Sequence, residues 1–291
     1  MPSMSLFFSQ LFNGLAMGLL LALISTGLTI IYGTLGVVNF AHGALLVVGA
    51  YAGYSAYTMT ESFLVAIAVG SAVSLVIGLV VERGLMRMYY SRPPEDQILV
   101  TFGIGIILVE IVRSIYGGIS LSVPTPEWGQ GIAKIGSLIY PLYRLQALGI
   151  AAATLAVLYY VLYRTSLGLI VRAGIEDSEM VNALGINVKR TFLLVFGIGA
   201  MAAGYAGVID SPIVTLSPDM GHRVLVDSFV VVVIGGVGSF PGAIVGGIIA
   251  GEILSLTSMF NPAYSHVMLF VVMALVLIFR PQGLMGQEGR E

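Results

Sequence analysis

Few residues in this chain could do chemistry, because ionisable side chains are almost confined to its polar connections. Those inside apolar stretches are Glu110 and Arg113, three apart, Asp227, Glu252, and His42, which follows Asn39 by three. In an apolar medium such groups carry protons, pair with one another or line a polar passage. Glu110 and Arg113 share a helical face, so a self-neutralising pair at an interface stands beside a role in a pathway. For Glu252 two readings stand, lining a passage or a buried hydrogen bond to a neighbouring helix. Asp227 either lines an outer mouth or faces water. A lone histidine such as His42 is more often a hydrogen-bonded core residue than a proton carrier.

Other chemistries are excluded. There is no cysteine, hence no disulfide, thiolate metal site or cysteine nucleophile. His42, His222 and His266 are too far apart for a local metal motif, and neither metal nor cofactor is expected. No Gly-x-x-x-x-Gly-Lys-Ser/Thr stretch occurs, so ATP is not bound through that loop. A net charge of −2 offers no footprint for nucleic acid.

The elements that must position these residues belong in lipid. Of 291 residues, 57% are hydrophobic and 10% charged, against roughly 25% charged in soluble domains. No Lys, Arg, Asp or Glu precedes Glu61; that stretch has no basic start and holds two spans of roughly 20 residues, so it does not read as a cleavable signal. Apolar segments run at Phe7–Tyr32, Ala44–Tyr57, Ser62–Val81, Ile98–Tyr116, Leu145–Tyr163, Thr191–Ile209, Leu225–Ile234, Ala243–Met259 and Val267–Phe279. Lipid leaves no backbone group unpaired, and the periodicity is not that of a barrel, so these are helices. The predicted fold is an all-α integral membrane protein: one domain over 1–291, a polytopic bundle of about eight or nine helices with two broken segments.

Basic residues gather in Glu82–Gln97 (Arg83, Arg87, Arg92), in Arg164–Arg190 and in the tail (Arg280, Arg290). The positive-inside rule makes these cytoplasmic. Gly117–Arg144, with Trp128, is then external, the C-terminus cytoplasmic and, with nine crossings, the N-terminus external.

Two stretches interrupt the helical pattern: Tyr32-Gly33-Thr34-Leu35-Gly36-Val37-Val38-Asn39-Phe40-Ala41-His42-Gly43, and Gly235-Gly236-Val237-Gly238-Ser239-Phe240-Pro241-Gly242. Both carry glycines three apart and then Phe, one residue and Gly-Ala. Paired breaks in the two halves of a transporter point to the pathway; ordinary glycine-rich turns are the alternative. A third stretch, Arg172 to Asn187, is too polar to span. Asp177 or Ser178 suits an N-cap, Glu179 the first turn and Gly185 a left-handed stop. Met180, Val181 and Leu184 would form a small apolar face. So short a helix needs a surface to lie on, either another protein or its own membrane domain.

These stretches carry a resemblance. Arg172–Asn187, with Glu176-Asp177 and Leu184-Gly185-Ile186-Asn187, resembles the coupling loop of the permeases of branched-chain amino acid ABC importers. Tyr32–Gly43 resembles the N-terminal signature of that family's high-affinity permease. Gly235–Ala243 with Gly246-Gly247 resembles its C-terminal signature, and Arg280-Pro281-Gln282-Gly283-Leu284 also fits. The resemblance covers nearly the whole chain, with the motifs in order. It implies a bacterial cytoplasmic (inner) membrane protein that pairs with a second, related permease. Two cytoplasmic ABC ATPase subunits would drive it, and an extracytoplasmic binding protein would deliver a small-molecule substrate. ATP would be hydrolysed on the separate subunits. Glu176, Asp177, Glu179, Met180, Leu184 and Gly185 would couple to the ATPases. Tyr32, Asn39, Phe40, His42, Gly235, Gly238, Ser239 and Glu252 would line the translocation pathway. Related permeases import urea, short amides and aromatic acids, so the motifs do not choose the substrate. The rivals of another class are a secondary transporter with His42, Glu110 or Glu252 carrying protons, and a membrane subunit or channel that transports nothing alone.

Overall fold

The computed structural model describes residues 4–90, 92–135 and 138–286; Arg290, read above as part of a cytoplasmic tail, lies outside them. The order is α1 (Met4–Leu35), α2 (His42–Thr60), α3 (Phe63–Gly84), α4 (Pro94–Tyr116), β1 (Ile132–Ile135), β2 (Leu138–Pro141), α5 (Leu142–Arg164), α6 (Ser166–Glu176), α7 (Ser178–Ala183), α8 (Val188–Asp210), α9 (Met220–Gly235), α10 (Phe240–Phe260) and α11 (Ser265–Phe279). Each of the nine apolar segments forms a helix of its own, Ser62 alone lying just before α3 as its N-cap. Seven helical stretches among the described residues are long and apolar enough to cross a membrane. The helices flanking the two breaks include the exceptions. Helix α9 has 16 residues, about 24 Å at 1.5 Å per residue and short of a ~30 Å core. Helix α2 dilutes its apolar residues with glycine, tyrosine and serine.

Helix α1 is the axis of the bundle. It is largely buried, and its Leu23, Ile24, Leu28 and Ile31 are at most 2% exposed. Helices α5, α8, α9 and α10 pack around it. Its approach to α10 is the closest: a Cβ on Gly18 would sit 2.8 Å from the Gly247 carbonyl oxygen. In lipid, where apolar burial drives little, small residues let backbones meet and packing supplies the cohesion. The outward faces of α3, α4, α5 and α11 are apolar, as with Val80, Ile107, Val157 and Ile278, all of them exposed. That belt is the surface the acyl chains cover. The protein is a multi-pass α-helical membrane protein.

Two features depart from the sequence reading. The stretch 164–190 holds a second helix, α6, where a connection was expected. Its Gly168, Val171 and Gly174 are buried, one every three residues, so a narrow stripe lies on the bundle while Ser166, Leu169, Arg172 and Glu176 face out. The stretch between α4 and α5 contains an antiparallel hairpin that pairs Ile132 with Pro141. Trp128 packs edge-on against Phe63, 5.8 Å between ring centroids, and beside Tyr143 at 5.7 Å.

Long-range polar contacts sort the connections onto two ends. At one, Tyr140 and Arg144 donate to Asn13 Oδ1 at 2.9 and 3.1 Å, Ser255 donates to the Gln10 carbonyl oxygen at 2.7 Å, and Leu121 bridges Leu216. At the other, Arg87 reaches the Lys189 carbonyl oxygen at 3.4 Å. The basic connections thus share an end. Because the chain has no cysteine, a Lys134→Cys protein is expected to react with an impermeant thiol reagent in intact cells and an Arg172→Cys protein only after lysis. The reverse order would invert the topology.

Candidate functional site

The first break begins where α1 closes its last turn, with Gly36 N–H donating to the Tyr32 carbonyl at 2.8 Å. Gly36 then has φ +67°, a left-handed conformation that glycine adopts without strain. Asn39 turns the chain: its Oδ1 accepts the Ala41 N–H at 3.0 Å, and its backbone carbonyl accepts from His42 at 3.1 Å. Helix α4 secures the break from outside, since Thr101 Oγ1 accepts the Phe40 N–H at 3.1 Å. His42 is fully buried, with Nε2 2.8 Å from the Ile24 carbonyl oxygen. A carbonyl only accepts, so that bond puts a proton on Nε2. The other nitrogen, Nδ1, has no partner among the described residues.

The second break uses two more glycines and a serine cap. Gly236 and Gly238 have φ +108° and +80°. Ser239 caps α10, its Oγ accepting the Gly242 N–H at 3.1 Å. The carbonyls left unpaired at the end of α9 are taken by the C-terminal segment. Leu284 and Met285 N–H donate to Ile234 and Gly235, both at 2.9 Å. The tail motif beginning at Arg280 therefore closes the second break.

The two breaks meet. A Cβ placed on Gly33 would lie 3.0 Å from the Gly238 carbonyl oxygen and 3.3 Å from its Cα. Tyr32, Gly235, Gly238 and Ser239 thus gather at the inner end of α1, while Asn39, Phe40 and His42 lie around the turn toward α4. Glu252 stands apart from them. It is 12 residues beyond the start of α10, about 18 Å along the axis. Its Oε2 has no partner among the described residues and sits where any side chain on Gly14 would go.

On the basic end, α7 forms with the caps its sequence calls for. Asp177 accepts the Met180 N–H at 2.8 Å, Gly185 has φ +83°, and Ile186 N–H returns to the Val181 carbonyl at 3.3 Å. That closure is a Schellman turn. Asn187 then caps α8 by accepting from Arg190 at 3.1 Å. Met180 and Leu184 are 61% and 73% exposed, whereas Val181 is 5% exposed. The expected three-residue face is therefore split: Val181 anchors α7 to its own bundle, and Met180 and Leu184 are left outward beside Glu176 and Glu179.

Other polar groups were beyond the reach of local reading. Arg113 pairs with Glu110 at 3.6 Å, as its spacing suggests, but more closely with Asp219, 106 residues on, at 2.6 Å. Asp227 meets His266 at 3.4 Å. Glu82, assigned by sequence to a cytoplasmic connection, is fully buried. It accepts from the Tyr90 hydroxyl at 3.1 Å and lies 3.9 Å from Arg87. Burial, and then the Glu82 carboxylate, push the Tyr90 phenol above its ordinary range, so it stays a donor.

Comparison with known proteins agrees with this anatomy. The family model described as branched-chain amino acid transport system / permease component matches residues 10–277. The high-affinity branched-chain amino acid transport system permease protein LivH of Salmonella typhimurium is 30% identical over 304 residues, 97% of this chain and 96% of that protein. The corresponding permease protein BraD of Pseudomonas aeruginosa is 30% identical over 99% of this chain and 98% of its own. The ribose import permease protein RbsC of Escherichia coli is 23% identical over 84% of this chain and 76% of its own. No solved structure is significantly similar. Matched from end to end by relatives of nearly its own length, the chain belongs to the branched-chain amino acid transport permease family.

Proposed function

We propose that this protein is the permease subunit of a binding-protein-dependent ABC importer for branched-chain or similar amino acids in the bacterial inner membrane. It forms half of the translocation pathway, beside a second permease. Two ATPases bind at its basic end, and a binding protein delivers substrate at the other. The observation that carries this reading is α7: a capped six-residue helix fixed by Val181, with Met180 and Leu184 left exposed. The rest of this chain leaves those side chains uncovered, and a rim of Glu176 and Glu179 suits a partner's basic groove. The names of the relatives support the substrate class. The meeting of the breaks at Gly33 and Gly238 supports the pathway assignment, because irregular backbone at membrane depth is tolerated where it is buried or lines a cavity.

The test is reconstitution. The chain, co-expressed with a cognate second permease, two ATPases and a binding protein, is expected to purify with both ATPases. In proteoliposomes, leucine uptake should require ATP on the ATPase side and binding protein on the other. Uptake driven by a proton gradient without ATP would replace this reading with secondary transport.

A further inference from the structure

A groove of about 240 Å³ runs along α11 and is walled on its other side by the C-terminal tail. Val272, Leu275, Val276 and Phe279 line it and fall at i, i+3, i+4 and i+7, one face of a helix. Beyond Phe279 the chain doubles back. Arg280 N–H donates to the Val276 carbonyl at 2.7 Å, and Gly283 N–H to the Arg280 carbonyl at 2.9 Å. Gly283 turns at φ +79°, which sets Leu284 against the helix as the second wall. Five apolar side chains and one guanidinium, that of Arg280, thus enclose the space.

The order of these groups along the membrane normal decides what fits. The helical residues lie in the apolar span Pro262–Phe279, at hydrocarbon depth. Arg280 is the first residue past it, at headgroup level on the side of the basic connections. Its Nη1 reaches the Leu284 carbonyl oxygen only at 3.5 Å, and among the described residues no carboxylate pairs with it. Most of its five donors are left for a ligand. Two turns of a partner helix, ~11 Å long and ~10 Å across, need several times the volume present, so another subunit could lie over the groove but not in it. An acyl chain, a single file of methylenes, fits lengthwise.

We propose that this groove is a phospholipid site: one acyl chain lies between α11 and Leu284, and the phosphate of an anionic headgroup takes Arg280. A guanidinium–phosphate bond is charge-assisted and often bidentate, and basic residues just past the cytoplasmic end of a span attract anionic headgroups. In a zwitterionic lipid the choline ammonium competes with Arg280 for the phosphate. The bound lipid also acts on the second break. Leu284 N–H closes the end of α9 at the Ile234 carbonyl, so a chain packed on Leu284 holds the tail against that break. The site depends on membrane topology and not on what the permease imports.

Ile278 is 72% exposed beside the groove without lining it, and the chain has no cysteine of its own. The full-length Ile278→Cys protein, labelled with a small fluorophore in nanodiscs, reports contact with lipid through quenching by brominated phosphatidylglycerol or brominated phosphatidylcholine. Ile107→Cys, on the outward face of α4, is the reference. Phosphatidylglycerol is expected to be preferred about fivefold at 278, the equivalent of ~1 kcal/mol per basic residue, and not at 107. Arg280→Lys should keep the preference and Arg280→Gln should abolish it. Leu275→Trp, which fills the groove from a half-exposed position, should abolish it too. Equal quenching by the two lipids at 278 overturns the headgroup assignment, and a preference that survives Leu275→Trp overturns the groove as the seat of the chain. A label at 278 that neither lipid quenches means that another subunit covers α11, and overturns the lipid site.

Discussion

Leu184→Asp is expected to strip the ATPase subunits from the complex or to leave them bound but unresponsive, and Met180→Asp to do the same. Both side chains protrude from a helix whose fold does not depend on them: the Asp177 cap, the Gly185 stop and the buried Val181 hold α7 in place. The substitutions therefore act on the partner surface and not on the permease. Central apolar anchors carry about 2–4 kcal/mol each at such interfaces, so affinity should drop roughly 30- to 1,000-fold. Glu179→Ala, at the rim, should change it by no more than about threefold at physiological salt. Gly185→Val should resemble the anchor variants by another route, since a β-branched residue at φ +83° disrupts the turn that ends the helix. Quantifying bound ATPases in purified complexes, and ATP hydrolysis with and without loaded binding protein, decides it. Normal stoichiometry and normal stimulation in both aspartate variants would leave α7 without a coupling role.

Gly251→Val should abolish the folded protein. The missing side chain of Gly251 faces the Gly14 carbonyl and the Gly18 backbone of α1, and one turn earlier Gly247 faces Ala22. The Gly251 contacts are with backbone, so no rotamer change makes room, and the added isopropyl group must push α1 from α10. Overpacking usually costs about 1–3 kcal/mol; here the displaced helix is the axis of the bundle, and more than ~3 kcal/mol is expected. Monodisperse yield and the thermal transition in mild detergent measure it. Ile278→Val, on the outward face of α11 where Ile278 is 72% exposed, is the matched control and should behave as wild type. A Gly251→Val protein as stable as that control would mean that α1 and α10 are not in contact.

The same close packing changes how the breaks should be probed. Gly36 has open space around its missing side chain, whereas Gly238 lies against Gly33. A side chain at 36 meets only the conformational cost of φ +67°, but one at 238 adds to the cost of φ +80° a tight contact with Gly33 of α1, 3.3 Å from its Cβ. Transport defects at Gly36 therefore speak to the mechanics of the break, and those at Gly238 mix mechanics with assembly.

By itself the sequence determined what lipid and local geometry dictate. Nine apolar segments became nine helices because a backbone in hydrocarbon must satisfy itself within its own segment. The two breaks, the cap at Asp177 and the stop at Gly185 were legible because each depends on residues within a turn of one another. The α6 helix was missed since its buried stripe of Gly168, Val171 and Gly174 is too small to register as apolar. What only the tertiary structure decided is pairing across the chain. Local periodicity carries no information about a residue 106 positions away, so Asp219 could not be foreseen as the partner of Arg113, nor Gly238 as the neighbour of Gly33. The inward turn of Val181, the burial of Glu82 and the separation of Glu252 from the breaks have the same origin. Each is set by which helix packs beside which, and in a membrane that choice rests on the close fit of small residues, summed over the whole bundle.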